Sequence, residues 1–268
     1  MSYIKLPTGY YQYFHADYTR EVPAEGYGGW KKEYLPLDIK STALVVMHAW
    51  DYGSIKEYGG WYRAAEWISR GDKIDRTILP EIVAAARKAG MTVIHVASSE
   101  SYCLKYPWYH KETAEESVRL PQIREGAVAK QLREFQAKNG FPGEENREDI
   151  VRAFQNVTFH PCLEPVEGEE IVVSSQRLYR FCESCGIDHL IYTGNCINWC
   201  LLDSPGGIIP MSGYGMLCSA IRQAVTGVEN QESARQEWGK DLALWKIAIG
   251  YGFVYEADDF IRAMSEVT

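Results

Sequence analysis

No stretch of this 268-residue chain approaches the ~20 consecutive apolar residues of a membrane span. Nor is there a cluster of Lys and Arg of the kind that binds nucleic acid or an anionic membrane by counterion release. The charge balance points the same way, with 36 Asp+Glu against 28 Lys+Arg and a formal net charge of −8. Internal repeats, low-complexity tracts and Pro/Gly/Ser-rich linkers are also missing. With 46% apolar and 24% charged residues, the composition excludes collagen-like and wholly disordered chains. The first residues lack a basic-then-apolar leader pattern, and the seven cysteines are an odd number that cannot all pair internally. Together these features set the expectation of a reduced, cytoplasmic protein. What the chain has in excess is aromatic: 18 Tyr and 8 Trp.

Residues 1–40 hold many of those rings, including Tyr10, Tyr11, Tyr13, Tyr18, Tyr27, Trp30 and Tyr34, with neither a helical nor a strand period. They are expected to form an irregular arm lying on the surface of its own domain or of a neighbouring subunit. Residues 41–268 read as one further domain. Ala43–His48 and Met91–Val96 are short, continuously apolar runs typical of strands buried on both faces. Between them, 77–89 has apolar residues at helical spacing, with Gly90 as a C-cap. A helix is expected over 126–138, strands over 170–173 and 189–193, and a short helix over 176–185 closed by Gly186. A strand around 216–220, a helix over about 232–249 and a strand near 253–255 complete the pattern. Alternating buried strands and helices imply a three-layer α/β/α sandwich around a mostly parallel sheet.

In such a sheet the chemistry belongs just beyond the C-terminal strand ends. Two ends carry suitable residues: Met47-His48-Ala49-Trp50-Asp51, and Gly194-Asn195-Cys196-Ile197-Asn198-Trp199-Cys200. A cysteine at the start of a helix meets backbone N–H groups that favour thiolate and can hold an oxyanion. The competing reading is an inert, packed thiol, since free cysteines are among the most buried residues.

TALVVMHAWDYG (42–53), ILPEIVAAARKAGMTVIHVAS (78–98), GIDHLIYTGNCINWCLL (186–202) and GYGMLCSAIRQAVTG (213–227) resemble segments of the isochorismatase-like cysteine hydrolases, which include nicotinamidases and carbamoylsarcosine amidases. The resemblance runs in order through most of 41–265 and is loose over 101–160. It implies hydrolysis of a small molecule, at an amide, ureido or carbamoyl C–N bond, through a thioester on Cys200, without a cofactor. It also implies a homo-oligomer. The oxyanion would sit on the backbone N–H groups of Ile197 and Cys200, beside a cis peptide at Cys196–Ile197.

Two positions depart from the family's pattern. His48 stands where its aspartate would be, and Ser175 is the nearest residue to its lysine, in a shortened segment. Asp51 lies three residues past the aspartate position. An imidazole is itself a competent partner for a thiol, so His48 is the expected base and proton donor for Cys200. A catalytically silent ligand-binding or assembly protein is the alternative. Trp50, Trp61 and Trp199, with Tyr52, flank the two strand ends as candidate pocket walls, or as packing and interface residues. Cys182-x-x-Cys185 with Cys196-x-x-x-Cys200 resembles half of a zinc pattern, but a buried strand lies between them, so no metal is expected.

Overall fold

The computed structural model describes residues 3–112 and 124–267. Its centre is an eight-stranded sheet: β1 (Tyr3–Gln12), β2 (Gly29–Asp38), β3 (Thr42–Met47), β4 (Thr92–Val96), β5 (Glu170–Val172), β6 (His189–Gly194), β7 (Leu217–Val225) and β8 (Val254–Tyr255). Strand order is β2-β1-β8-β7-β6-β3-β4-β5. β3 to β8 run parallel to one another. The helices are α1 (Gly59–Ala64), α2 (Ile68–Arg76), α3 (Ile78–Lys88), α4 (Ala127–Asn139), α5 (Arg147–Asn156), α6 (Ser175–Cys185), α7 (Cys200–Asp203), α8 (Ile208–Gly213), α9 (Trp238–Gly250) and α10 (Ala257–Ser265). Among the described residues no helix is long and apolar enough to cross a membrane.

The alternation of side chains along a strand sorts the core into layers. Ala43, Val45 and Met47 of β3 face one side, with Leu178 and Cys182 of α6, Ile208 and Met211 of α8, and Leu244 of α9. Leu44 and Val46 face the other, with Leu79, Ile82 and Ala86 of α3 and Phe260 and Met264 of α10. The expected three-layer α/β/α sandwich is therefore the fold. Gly90 (φ +72°) and Gly186 (φ +69°) close α3 and α6 in the left-handed conformation that a C-cap requires.

The expectation for residues 1–40 needs correction. Residues 3–38 form a long antiparallel hairpin instead of an irregular arm, with Tyr3 to Gln12 of β1 paired in continuous register with Asp38 to Gly29 of β2. Gly9 of β1 pairs antiparallel with Val254 of β8, so the hairpin extends the sheet. A Cβ at Gly9 would stand 2.5 Å from the Val254 carbonyl oxygen, and that close approach explains the glycine. The strand signal is hidden because β2 buries little: only Leu37 is a buried residue within it. Leu6, Leu37 and Ile39 fasten the hairpin into the α3/α10 layer.

After β3 the chain winds outward through β4 to β5, then returns to the opposite side of β3 to lay down β6, β7 and β8. The direction reverses between β3 and β6, and the crevice beyond those two strand ends is where an open α/β sheet binds ligands.

Candidate active site

β6 and β3 end side by side, pressed together at Gly194. A Cβ there would lie 1.9 Å from the Met47 carbonyl oxygen, and the backbone has φ +112°, so only glycine fits. The chain then turns into the loop that carries Cys196 and delivers Cys200 to the first position of α7. The cis peptide in this loop is Asn195–Cys196, one residue earlier than the Cys196–Ile197 bond expected.

A cavity of about 160 Å³ opens beside Cys196 and Cys200. Trp50, Trp61, Trp67 and Phe154 wall it, Trp199 and Phe141 stand at its mouth, and Glu66 and Glu229 are its charged lining residues. Trp50, Trp61 and Trp199 are among the residues that line this cavity, whereas Tyr52 is buried and not among them.

Burial pushes the Cys200 thiol pKa up, against the Ser204 side chain and the backbone N–H groups of Cys196 and Cys200, which pull it down. The net direction is upward, opposite to the activation expected from a helix start. Burial is the dominant cause, and the four-residue α7 offers little of a helix's aligned dipole to oppose it. The oxyanion assignment shifts as well: the Ile197 N–H is committed to the Thr226 carbonyl at 2.7 Å. The backbone amides that favour the Cys200 thiolate are those of Cys196 and Cys200.

His48 is not brought to Cys200. It takes a left-handed backbone (φ +55°), and its ring stacks on Trp50 with centroids 4.9 Å apart and planes 16° from parallel. It lies outside the cavity lining, and its Nδ1 is buried without a hydrogen-bond partner. Burial lowers its pKa to about 4, so near neutral pH it is an uncharged ring that cannot form an ion pair with a thiolate. Asp51 and Ser175 are also occupied elsewhere. Asp51 Oδ1 accepts the Gly53 N–H at 3.0 Å in a local turn. Ser175 Oγ is buried and accepts the Gly206 N–H at 2.8 Å. Of the Cys182-x-x-Cys185 pair, Cys182 is buried in the core and Cys185 is exposed.

Two groups near the site had no role in the sequence reading. The first is an ion pair at the cavity edge, where Glu66 Oε2 meets Arg70 Nη1 at 2.6 Å and Glu66 Oε1 meets Arg70 Nη2 at 3.0 Å. Arg70 continues to Glu237 at 2.9 Å and to the Gly227 carbonyl at 3.1 Å. Glu66 Oε1 also accepts the Glu229 N–H at 3.0 Å, and the Glu229 carboxylate in turn accepts the Gly239 and Lys240 N–H groups at 2.8 and 2.9 Å and the Ser233 hydroxyl at the start of α9.

The second is a buried polar chain beneath the cysteine loop. Tyr52 OH donates to Asp75 Oδ2 at 2.9 Å and accepts from Asn195 Nδ2 at 2.7 Å. Thr226 Oγ1 lies 2.7 Å from Asn195 Oδ1 and 3.3 Å from Cys196 Sγ. Asp75 is fully buried with Oδ1 unpartnered, and burial raises its pKa to about 7 despite its hydrogen bonds. Gly71 lets α2 approach this chain, since a Cβ there would stand 3.0 Å from both Asn195 Oδ1 and Tyr52 OH. A signal for Asp75 did exist: Ile68, Gly71 and Asp75 are the buried residues of α2, an i, i+3, i+7 stripe with an acid in it.

Comparison with solved structures supports the architecture. A cysteine hydrolase from Pseudomonas syringae pv. phaseolicola 1448A superposes with a TM-score of 0.52, at 14% identity over 87% of this chain and 97% of that one. The chain shares the fold of that cysteine hydrolase. An isochorismatase-like hydrolase from Alkaliphilus metalliredigens (TM-score 0.47, 14% identity, 84% and 97% covered) and a nicotinamidase from Staphylococcus aureus (0.40, 13%, 81% and 99%) are among the other similar structures. No family model matches the sequence, and no curated protein matches it. In this fold the crevice beyond β3 and β6 is where Cys200, the aromatic cavity and the Glu66–Arg70 pair meet.

Proposed function

We propose that this protein is a cysteine hydrolase that cleaves an amide, ureido or carbamoyl C–N bond of a small molecule. The observation that carries this reading is that a thiol, two oxyanion-type amides and a carboxylate border one ligand-sized cavity. A thiol nucleophile needs a group to take its proton, and a positioned acid or base contributes roughly 10²–10⁴-fold. His48 does not border the cavity, whereas Glu66 does, and Arg70 holds that carboxylate in place.

In the proposed reaction the Cys200 thiol proton passes to Glu66 as the sulfur attacks the carbonyl carbon. The carbonyl π electrons move to oxygen, and the N–H groups of Cys196 and Cys200 receive that oxyanion. Collapse of the adduct breaks the C–N bond, and the leaving nitrogen takes the proton from Glu66. Water then attacks the thioester, giving it an OH group and returning the proton to sulfur. No cofactor takes part.

A second reading, ligand binding without turnover, is favoured by one specific observation: burial raises rather than lowers the Cys200 pKa. Turnover of a panel of small carboxamides, ureas and carbamoyl compounds separates the two. The hydrolase reading expects activity that is lost in Cys200→Ala and falls about 100-fold or more in Glu66→Gln. Saturable binding with no turnover in the unmodified protein establishes the second reading instead.

A further inference from the structure

We infer that the compound entering the Cys200 cavity carries a compact alkylated ammonium group, of the size of trimethylammonium. This rests on reading that cavity as the functional site, and it specifies the part of the ligand that does not react.

Size comes first. About 160 Å³ is close to a cavity of ~150 Å³, which holds one benzene-sized group. The cavity therefore encloses a single compact moiety of about six heavy atoms, not a nucleotide or a peptide side chain with its backbone.

Wall chemistry comes next. Trp50, Trp61 and Phe154 brace one another, with ring centroids 5.4 to 6.2 Å apart, and Trp67 lies 6.2 Å from Trp50. These braced rings form a rigid aromatic wall, and the negative quadrupole of an aromatic face attracts a cation that has shed its water. An alkylated ammonium is the cation that sheds water most readily, because its surface is methyl groups and it has few or no N–H bonds to satisfy. A bare ammonium would need hydrogen-bond acceptors that the ring faces do not supply.

Charge decides between a cation and a neutral group of the same volume. Among the described residues, both charged residues lining the cavity are acids, Glu66 and Glu229, with no Lys or Arg beside them. An anionic ligand would thus meet no cationic donor in the lining. The carboxylates are partly offset by Arg70 and by the α9 amides, so they bias the site toward positive charge while the rings supply most of the contact. The net charge of −8 adds a long-range pull of the same sign. With the ammonium group against the Trp50 wall, the reacting bond would lie toward Cys200.

The test uses full-length Cys200→Ala protein, in which binding is read without turnover. Choline and its uncharged isostere, with a quaternary carbon in place of nitrogen, are titrated by tryptophan fluorescence and calorimetry. Choline should bind roughly tenfold more tightly than the isostere. Trp199→Leu, a change at a half-exposed mouth residue, should shrink that ratio. Equal or tighter binding of the isostere, or no saturable binding of either compound, overturns the inference. The hydrolase reading fails separately: choline selectivity without turnover of any panel compound defeats it and leaves the cation site standing. Turnover of neutral amides without cation preference does the reverse.

Discussion

Replacing Asp75 by asparagine should make the protein's stability less sensitive to rising pH, by an amount that follows from the burial of the carboxyl group. Asp75 has its pKa raised from 3.8 to about 7 in the folded state, chiefly by burial. Folded molecules therefore hold a proton on Asp75 across a pH range in which unfolded molecules have released it. Stability falls with pH wherever the native state binds more protons, so the penalty begins near the unfolded pKa and is complete just above the folded one. At about 1.4 kcal/mol per pKa unit, a shift of about three units sets a ceiling of about 4 kcal/mol, of which about 3 kcal/mol accrues between about pH 5 and about pH 8. An asparagine Oδ1 can accept the same two hydrogen bonds from Tyr52 and Asn195. Its amide N–H groups would replace the unpartnered Oδ1, at a pH-independent cost of about 1–3 kcal/mol. The readout is urea unfolding of both proteins at several pH values across that interval. The stability difference between the Asp75→Asn variant and the original should move by about 3 kcal/mol in favour of the variant as pH rises. Every other titrating group is common to both proteins and cancels. A difference that stays flat with pH would show that Asp75 is ionised at little cost, and the argument from its burial would be wrong.

Two further outcomes can be checked. His48 and His189 have their pKa lowered from 6.5 to about 4 by burial, so the folded state resists protonation, and stability should be lost as pH falls from about 6.5 toward about 4. His48→Gln should remove up to about 3 kcal/mol of that acid sensitivity, as read by thermal melts across the same range; an unchanged acid limb would contradict it. Leu6→Ala should cost about 2–5 kcal/mol in chemical denaturation, because Leu6 is fully buried against the α10 layer. A loss below about 1 kcal/mol would mean that the hairpin is not anchored there.

How much of this was readable in the sequence depended on burial. β3, β4 and β6 are buried nearly end to end, so their continuous apolar runs announced parallel strands, and the glycines at 90 and 186 punctuated the helices. β1 and β2 escaped notice because one side of the hairpin faces solvent and its aromatic content carries no strand period. α9 starts later than expected, at Trp238, because Glu229 caps it from nine residues upstream, a long-range hydrogen bond that local spacing does not encode. At the candidate site, strand-end logic singled out Cys200 and the tryptophans that border its cavity. It paired Cys200 with His48 because the two strand ends are neighbours, but the His48 ring stacks on Trp50 and is not among the residues that line the Cys200 cavity. Glu66 and Arg70 lie between and on short helices in a stretch without an apolar pattern, so nothing in their spacing connected them to a cysteine more than a hundred residues later.

The hairpin also determines what the sheet can become. Without it, the two-residue β8 would be the open end of the parallel sheet; with it, the open edge moves out to β2. That new edge carries Pro36, which has no N–H to offer a neighbouring strand, along with a Lys31-Lys32-Glu33 run. Proline and exposed charge are devices that blunt an edge against further strand pairing. At the other end β5 is only three residues long. The sheet is thus blunted at both edges, by proline and charge on β2 and by the shortness of β5, and both edges are poor templates for the addition of another strand.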